Sequence, residues 1–173
     1  MSDLLKRPTP EQVKRLPKAL LHDHLDGGLR PQTIIDIANE IGYDALPTKD
    51  AAELAIWFRE SCDSGSLVRY LETFGHTIAV MQRREDIIRV ARECALDLAR
   101  DGVVYAEVRG APELFLEKGL SLSQVIEATL EGYRLGEADA KAEGLQIRVV
   151  SLLCGMRQNK RSQEVAELVV KYR

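Results

Sequence analysis

The chain is short of cysteine, histidine and aromatic residues, and each shortage excludes a class of protein. Its three cysteines, Cys62, Cys94 and Cys154, are widely spaced and fall in no CxxC pattern. They make neither a disulfide framework nor a thiolate metal cage. They read as reduced thiols of a cytoplasmic protein, with Cys94 and Cys154 expected inside. Aromatics are 5% of the sequence, and no apolar run approaches the ~20 residues of a membrane span. Residues 1–17 contain neither an apolar h-region nor a small-residue cleavage site, so no secretory signal is expected. Basic residues never run beyond two in a row and the formal net charge is -3. That leaves no electrostatic case for nucleic acid or an anionic membrane as partner. There is no internal repeat, low-complexity tract or linker.

What remains is globular material: 173 residues, 45% hydrophobic and 29% charged, enough for one domain with a core. Local signals lay out its elements. Thr9, Pro10 and Gln12 read as the cap, first-turn proline and capping box of a short helix ending near Leu16 and Pro17. Lys18–His24 reads as a strand. Pro31 opens a helix with Ile34, Ile35, Ile37, Ala38 and Ile41 on its apolar side and Gly42 at its end. Asp50 with Glu53 offers another capping box, for a helix through about Glu60, and Ser66 caps a helix carrying Leu67, Tyr70, Leu71 and Phe74. A long helix from Glu85 to Arg100 stops at Gly102, and Val103–Arg109 is a β-branched strand. Ser121 and Gln124 box a helix to about Glu143, Leu145–Leu153 is a third strand, and Arg161–Tyr172 is a closing helix.

Strands separated by helical crossovers imply a parallel sheet with buried strands. Such a sheet belongs to a doubly wound fold or a (β/α)8 barrel. No Gly-rich phosphate loop follows the first strand, which counts against a nucleotide-binding Rossmann unit. Three βα units occupy the 173 residues, against the ~250 residues of a full barrel. The expected fold is α/β, a (β/α)8 TIM-type barrel. Residues 1–173 supply about its first three βα units, with extra helices after the first strand, as the N-terminal part of one incomplete domain.

Two of the three histidines, His22 and His24, stand one residue apart in LLHDHLDGG, at the end of the first strand. Side chains at i and i+2 of a strand point the same way, so the two imidazoles converge while Asp23 faces away. Two converging imidazoles with a carboxylate, Asp26, two residues on make half of a metal site. The plain alternative is a pair of ordinary histidines, with Asp26 only starting the turn at Gly27.

LLHDHLDGGLRP resembles the metal-binding signature of the adenosine deaminase family, in which an LHxHLDG segment ends the first barrel strand. GVVYAEVRGAPELF resembles that family's second strand and VVSLLCGMRQ its third, so the resemblance runs through essentially the whole chain. Leu20 stands where many other amidohydrolases have the acid of a DxHxH pattern. The HxE and PCxxC pattern of the cytosine deaminases is absent. The resemblance implies one Zn2+ per complete site, activating a water that attacks C6 of adenosine and releases ammonia as inosine forms. It makes His22 and His24 metal ligands and Asp26 the acceptor of a hydrogen bond from the ribose end of the substrate. Leu67, Tyr70, Leu71 and Phe74 lie where the family has an apolar lid, although such spacing also describes a core. The resemblance puts a third His and an Asp ligand, the catalytic His and an acidic Glu beyond Arg173. The other histidine, His76, does not match those positions.

The rest of the polar inventory reads as structural. Glu107 and Arg109 share one face of the second strand and are expected, with Arg157, in ion pairs near the barrel mouth. Asp23 is expected to bond a nearby loop or helix end, and Trp57 and Phe58 to pack. Three functional readings follow. The first is an adenosine or deoxyadenosine deaminase of purine salvage, inactive as the isolated chain. The second is a related adenine or modified-adenosine deaminase. The third is a catalytically inactive fragment that associates with a complementary chain through its open sheet edge.

Overall fold

Capping chemistry sets most of the helix boundaries in the computed structural model, which describes residues 7–173. The part of the leader reading that concerns residues 1–6 lies outside the described residues. In α1 (Pro10–Arg15) the Gln12 amide donates to Thr9 Oγ1 at 3.2 Å and the Thr9 amide to Gln12 Oε1 at 2.8 Å, the expected box. Then come β1 (Lys18–His24), a single 3-10 turn at Leu25–Gly27, and α2 (Pro31–Ile41), which ends on Gly42 at φ 71°. In α3 (Ala51–Cys62) Asp50 caps the amides of Ala52 and Glu53, but the expected box is one-way. The Glu53 carboxylate accepts from the Thr48 hydroxyl at 2.7 Å instead.

α4 (Leu67–Ala79), α5 (Arg84–Arg100), β2 (Val103–Gly110), a 3-10 turn at Pro112–Phe115 and the boxed α6 (Leu122–Ala142) follow. The chain closes with β3 (Arg148–Leu153) and α7 (Ser162–Lys171). The third strand starts three residues later than its hydrophobicity suggests. The Leu145 amide turns back to the Ala140 carbonyl at 2.8 Å behind Gly144, at φ 76°, so Leu145 closes the end of α6 and residues 145–147 form the connection instead of opening the strand.

The sheet is parallel with order β1-β2-β3. Leu20 pairs with Ala106 and Asp23 with Val108, so β1 carries one residue more than β2 across this step. Such a bulge re-aims the side chains that follow it. One sheet face, with Ala106, Val108 and Val149 buried, packs under α5 and α6. Gly132 and Gly136 let those helices meet: a Cβ at Gly132 would stand 2.5 Å from the Ile88 carbonyl oxygen. The other face carries His22, His24, Glu107, Arg109, Val150 and Leu152. Among the described residues no element covers it, so the strands are buried on one side and not on both.

Candidate metal and ligand site

The bulge in β1 leaves Asp23 toward the helices and both histidines on the open face, at the C-terminal end of the strand. Asp23 Oδ1 accepts from the His24 amide, the next residue of the same strand, at 2.9 Å, and not from a loop or helix end as expected. His22 Nε2 and His24 Nε2 lie 3.3 Å apart, with ring centroids separated by 5.4 Å and planes tilted by 30°. Two imidazole nitrogens at ~2.0–2.1 Å from one tetrahedral zinc stand ~3.3–3.4 Å apart. The pair therefore has the bite of two metal ligands, a distance that also lets one ring donate to the other. Among the described residues no group of three or more His, Cys, Asp or Glu side chains is placed to hold a metal, so the pair offers two donors and no third.

Asp26 follows in the 3-10 turn and is only 6% exposed. Burial pushes its carboxyl above the usual range, opposed by its own amide and by His24, whose Nδ1 stands 4.0 Å away. Asp26 faces a cavity of about 290 Å³ between the turn and the α3–α4 pair. Phe74 and Tyr70 wall it, with ring centroids 5.3 Å apart and planes at 82°. Leu67 and Leu71 do not join them: they are 70% and 55% exposed, on the outer side of α4. The one-face spacing of α4 is real, but the face that meets the cavity is Tyr70, Thr73, Phe74 and Thr77, with Thr73 and Thr77 buried.

The ion pairs expected for Glu107, Arg109 and Arg157 do not form among the described residues. Glu107 accepts from the Tyr105 hydroxyl at 3.0 Å, Arg109 buries an unpartnered Nε, and Arg157 is exposed in the loop after β3. The strand placement of Glu107 and Arg109 was readable, but the partners were not. Sequence reasoning missed Glu113, whose Oε2 accepts from the Met156 amide while Oε1 is buried without a partner. It ties together the loops that follow β2 and β3. It also missed Ala55, Phe58 and Cys62 as cavity wall, although their spacing on α3 puts them on one face. His76 stays outside the site, with Nδ1 2.9 Å from the Tyr43 hydroxyl and its ring edge-on to Trp57.

The adenosine deaminase family model matches residues 17–173. Adenosine deaminase 1 of Streptomyces coelicolor is 60% identical over 168 residues, covering 97% of this chain and 42% of its own length. The adenosine deaminase of Mycobacterium ulcerans is 53% identical over 166 residues, 96% of this chain and 46% of its own. The chain thus spans less than half the length of these relatives. Among solved structures, Arabidopsis ADAL complexed with GMP superposes with a TM-score of 0.74 at 27% identity, over 93% of this chain and 47% of that one. The adenine deaminase of Arthrobacter aurescens does so with a TM-score of 0.67 at 25% identity, over 90% and 45%. The three strands and their helices are the opening βα units of a TIM-type amidohydrolase barrel. Matched along nearly its whole length by the family model and by relatives at more than half identity, the chain belongs to the adenosine deaminase family.

Proposed function

We propose that residues 1–173 are the N-terminal part of a single barrel domain, that of a zinc-dependent adenosine deaminase of purine salvage. Adenosine or deoxyadenosine and water become inosine or deoxyinosine and ammonia, at a site completed by residues beyond this chain. The observation that carries the reading is the imidazole pair 3.3 Å apart at the end of β1, beside a cavity that contains a buried carboxylate. His22 and His24 hold the metal through Nε2. When bound, zinc supplies Lewis-acid activation of water near neutral pH.

The chain's own residues bind and orient the nucleoside. Asp26 accepts a hydrogen bond from a ribose hydroxyl, and burial strengthens that bond by excluding competing water. Tyr70 and Phe74 offer apolar ring surface to the purine, and the α3–α4 pair keeps solvent from that side. The family resemblance puts the general acid and base groups beyond Arg173, so the isolated 173 residues are expected to be inactive. The partners are a small-molecule purine nucleoside and a complementary C-terminal segment, in the cytoplasm. No helix of the described residues is long and apolar enough to cross a membrane.

The test is reconstitution. Mixed with the remaining C-terminal part of the Streptomyces coelicolor relative, the chain is expected to convert adenosine to inosine with release of ammonia, and alone it is not. A mixture that works faster on adenine than on adenosine selects the adenine deaminase reading, because Asp26 would then have no ribose to hold. Turnover by the chain alone contradicts the proposal.

A further inference from the structure

We propose that Arg109 is the docking point for a carboxylate of the completing C-terminal segment, carried on one of the even-numbered strands of the barrel. This deepens the reading above, on which the existence of that segment rests. Arg109 lies on the open sheet face near the C-terminal end of β2 and is partly buried. Its Nε is enclosed and meets no acceptor among the described residues. Buried polar groups are normally paired, and buried charges almost always are, so an enclosed guanidinium nitrogen marks the place of an absent partner.

The neighbours on the sheet do not serve. In register, Arg109 stands beside His24 on β1 and Leu152 on β3, an imidazole and an aliphatic chain. Glu107, two positions back on the same face, accepts from the Tyr105 hydroxyl at 3.0 Å and forms no ion pair with Arg109. Glu113 holds the Met156 amide through Oε2, and its Oε1 meets no donor, so it does not reach Arg109 either.

Barrel geometry says where the partner comes from. Inward side chains of a (β/α)8 barrel stack in layers of four, and each layer is drawn from alternate strands. A side chain of β2 therefore shares its layer with the fourth, sixth and eighth strands, and residues 1–173 hold only the first three. Closing the barrel also removes the solvent that reaches this face. A cation enclosed there needs an anion, and the planar guanidinium fork matches a carboxylate through parallel N–H···O bonds.

The experiment mixes the whole 173-residue chain with the remaining C-terminal part of the Streptomyces coelicolor relative. Arg109→Lys places an amine at the same point, and a carbodiimide then joins it to a carboxylate in contact. Peptide mapping is expected to find position 109 linked to an Asp or Glu on the fourth, sixth or eighth strand, with zinc present and absent alike. Arg109→Met removes the cation and leaves the carboxylate alone in the interior, so association is expected to weaken at least about 100-fold. A link only to a carboxylate of the 173 residues overturns the proposal. A link that forms only without zinc also overturns it, because the carboxylate then belongs to the metal. So does association of Arg109→Met as tight as the parent's or tighter, the result for a cation that has no partner. A parent chain that forms no complex overturns it together with the reading on which it rests. A complex that deaminates adenosine without the link overturns the ion pair alone. One that makes the link but neither binds zinc nor converts adenosine supports the ion pair and counts against the deaminase reading alone.

Discussion

Replacing Asp26 by asparagine separates what this residue costs the fold from what it does for the ligand. Its carboxyl is 6% exposed and held above the usual range by burial, and the His24 imidazole at 4.0 Å is beyond hydrogen-bond reach. A buried polar group left unsatisfied costs ~1–3 kcal/mol. Asparagine keeps the shape and removes the charge, so the metal-free Asp26→Asn chain should be about 1 kcal/mol more stable near neutral pH. Binding should move the other way. A hydroxyl donates to a carboxylate for ~1.5–3 kcal/mol and to a neutral acceptor for ~0.5–1.5, so adenosine affinity should fall roughly 10-fold. Urea unfolding with an unchanged slope gives the first quantity, and calorimetric titration of the reconstituted protein with adenosine gives the second. A variant that is less stable than the parent shows that the carboxylate already has a partner. One that binds adenosine equally well shows that Asp26 does not touch the ribose. Either result refutes the reasoning.

Three further outcomes follow from the packing. Burial holds His76 below its ordinary 6.5, so the unfolded chain takes up that proton more readily. Stability is then full above pH 6.5 and falls as pH drops through 6.5 toward the lowered value. His76→Gln should flatten this part of the urea-midpoint profile, and an unchanged slope excludes His76 as its source. Gly132→Ala drives a methyl to 2.5 Å from the Ile88 carbonyl oxygen and should cost ~1–3 kcal/mol in thermal unfolding. A neutral result would mean that α5 and α6 can separate. Ser121→Ala removes the acceptor of the Gln124 amide at 3.3 Å and should cost ~1 kcal/mol, while equal stability would show that solvent caps α6 as well.

The features readable in the sequence were those whose causes lie within a few residues. Thr9 with Gln12 and Ser121 with Gln124 cap as expected, because the donors and acceptors are three positions apart. The convergence of His22 and His24 matches strand alternation although His22 lies inside the bulged step between Leu20 and Asp23. Asp50 and Glu53 show the limit of such reasoning. The spacing is that of a box, but a hydroxyl five residues before Glu53 captures its carboxylate. The cavity was half legible for the same reason. The α4 spacing defined an apolar stripe, but which part of it turns inward depends on where α3 and the 3-10 turn lie. The charges of β2 were assigned to the right face without their partners, because no local signal specifies what meets Arg109 across the sheet.

If His22 and His24 are two ligands of a metal site completed by a further segment, the pair governs whether zinc is held at all. The direct measurement is native mass spectrometry of the chain mixed with the remaining C-terminal part of the Streptomyces coelicolor relative, under zinc-retaining conditions. One zinc ion is expected in the complex formed by the parent chain and none when the chain carries both His22→Ala and His24→Ala. Zinc retained in full by that double variant, or a stable parent complex that binds none, would contradict it.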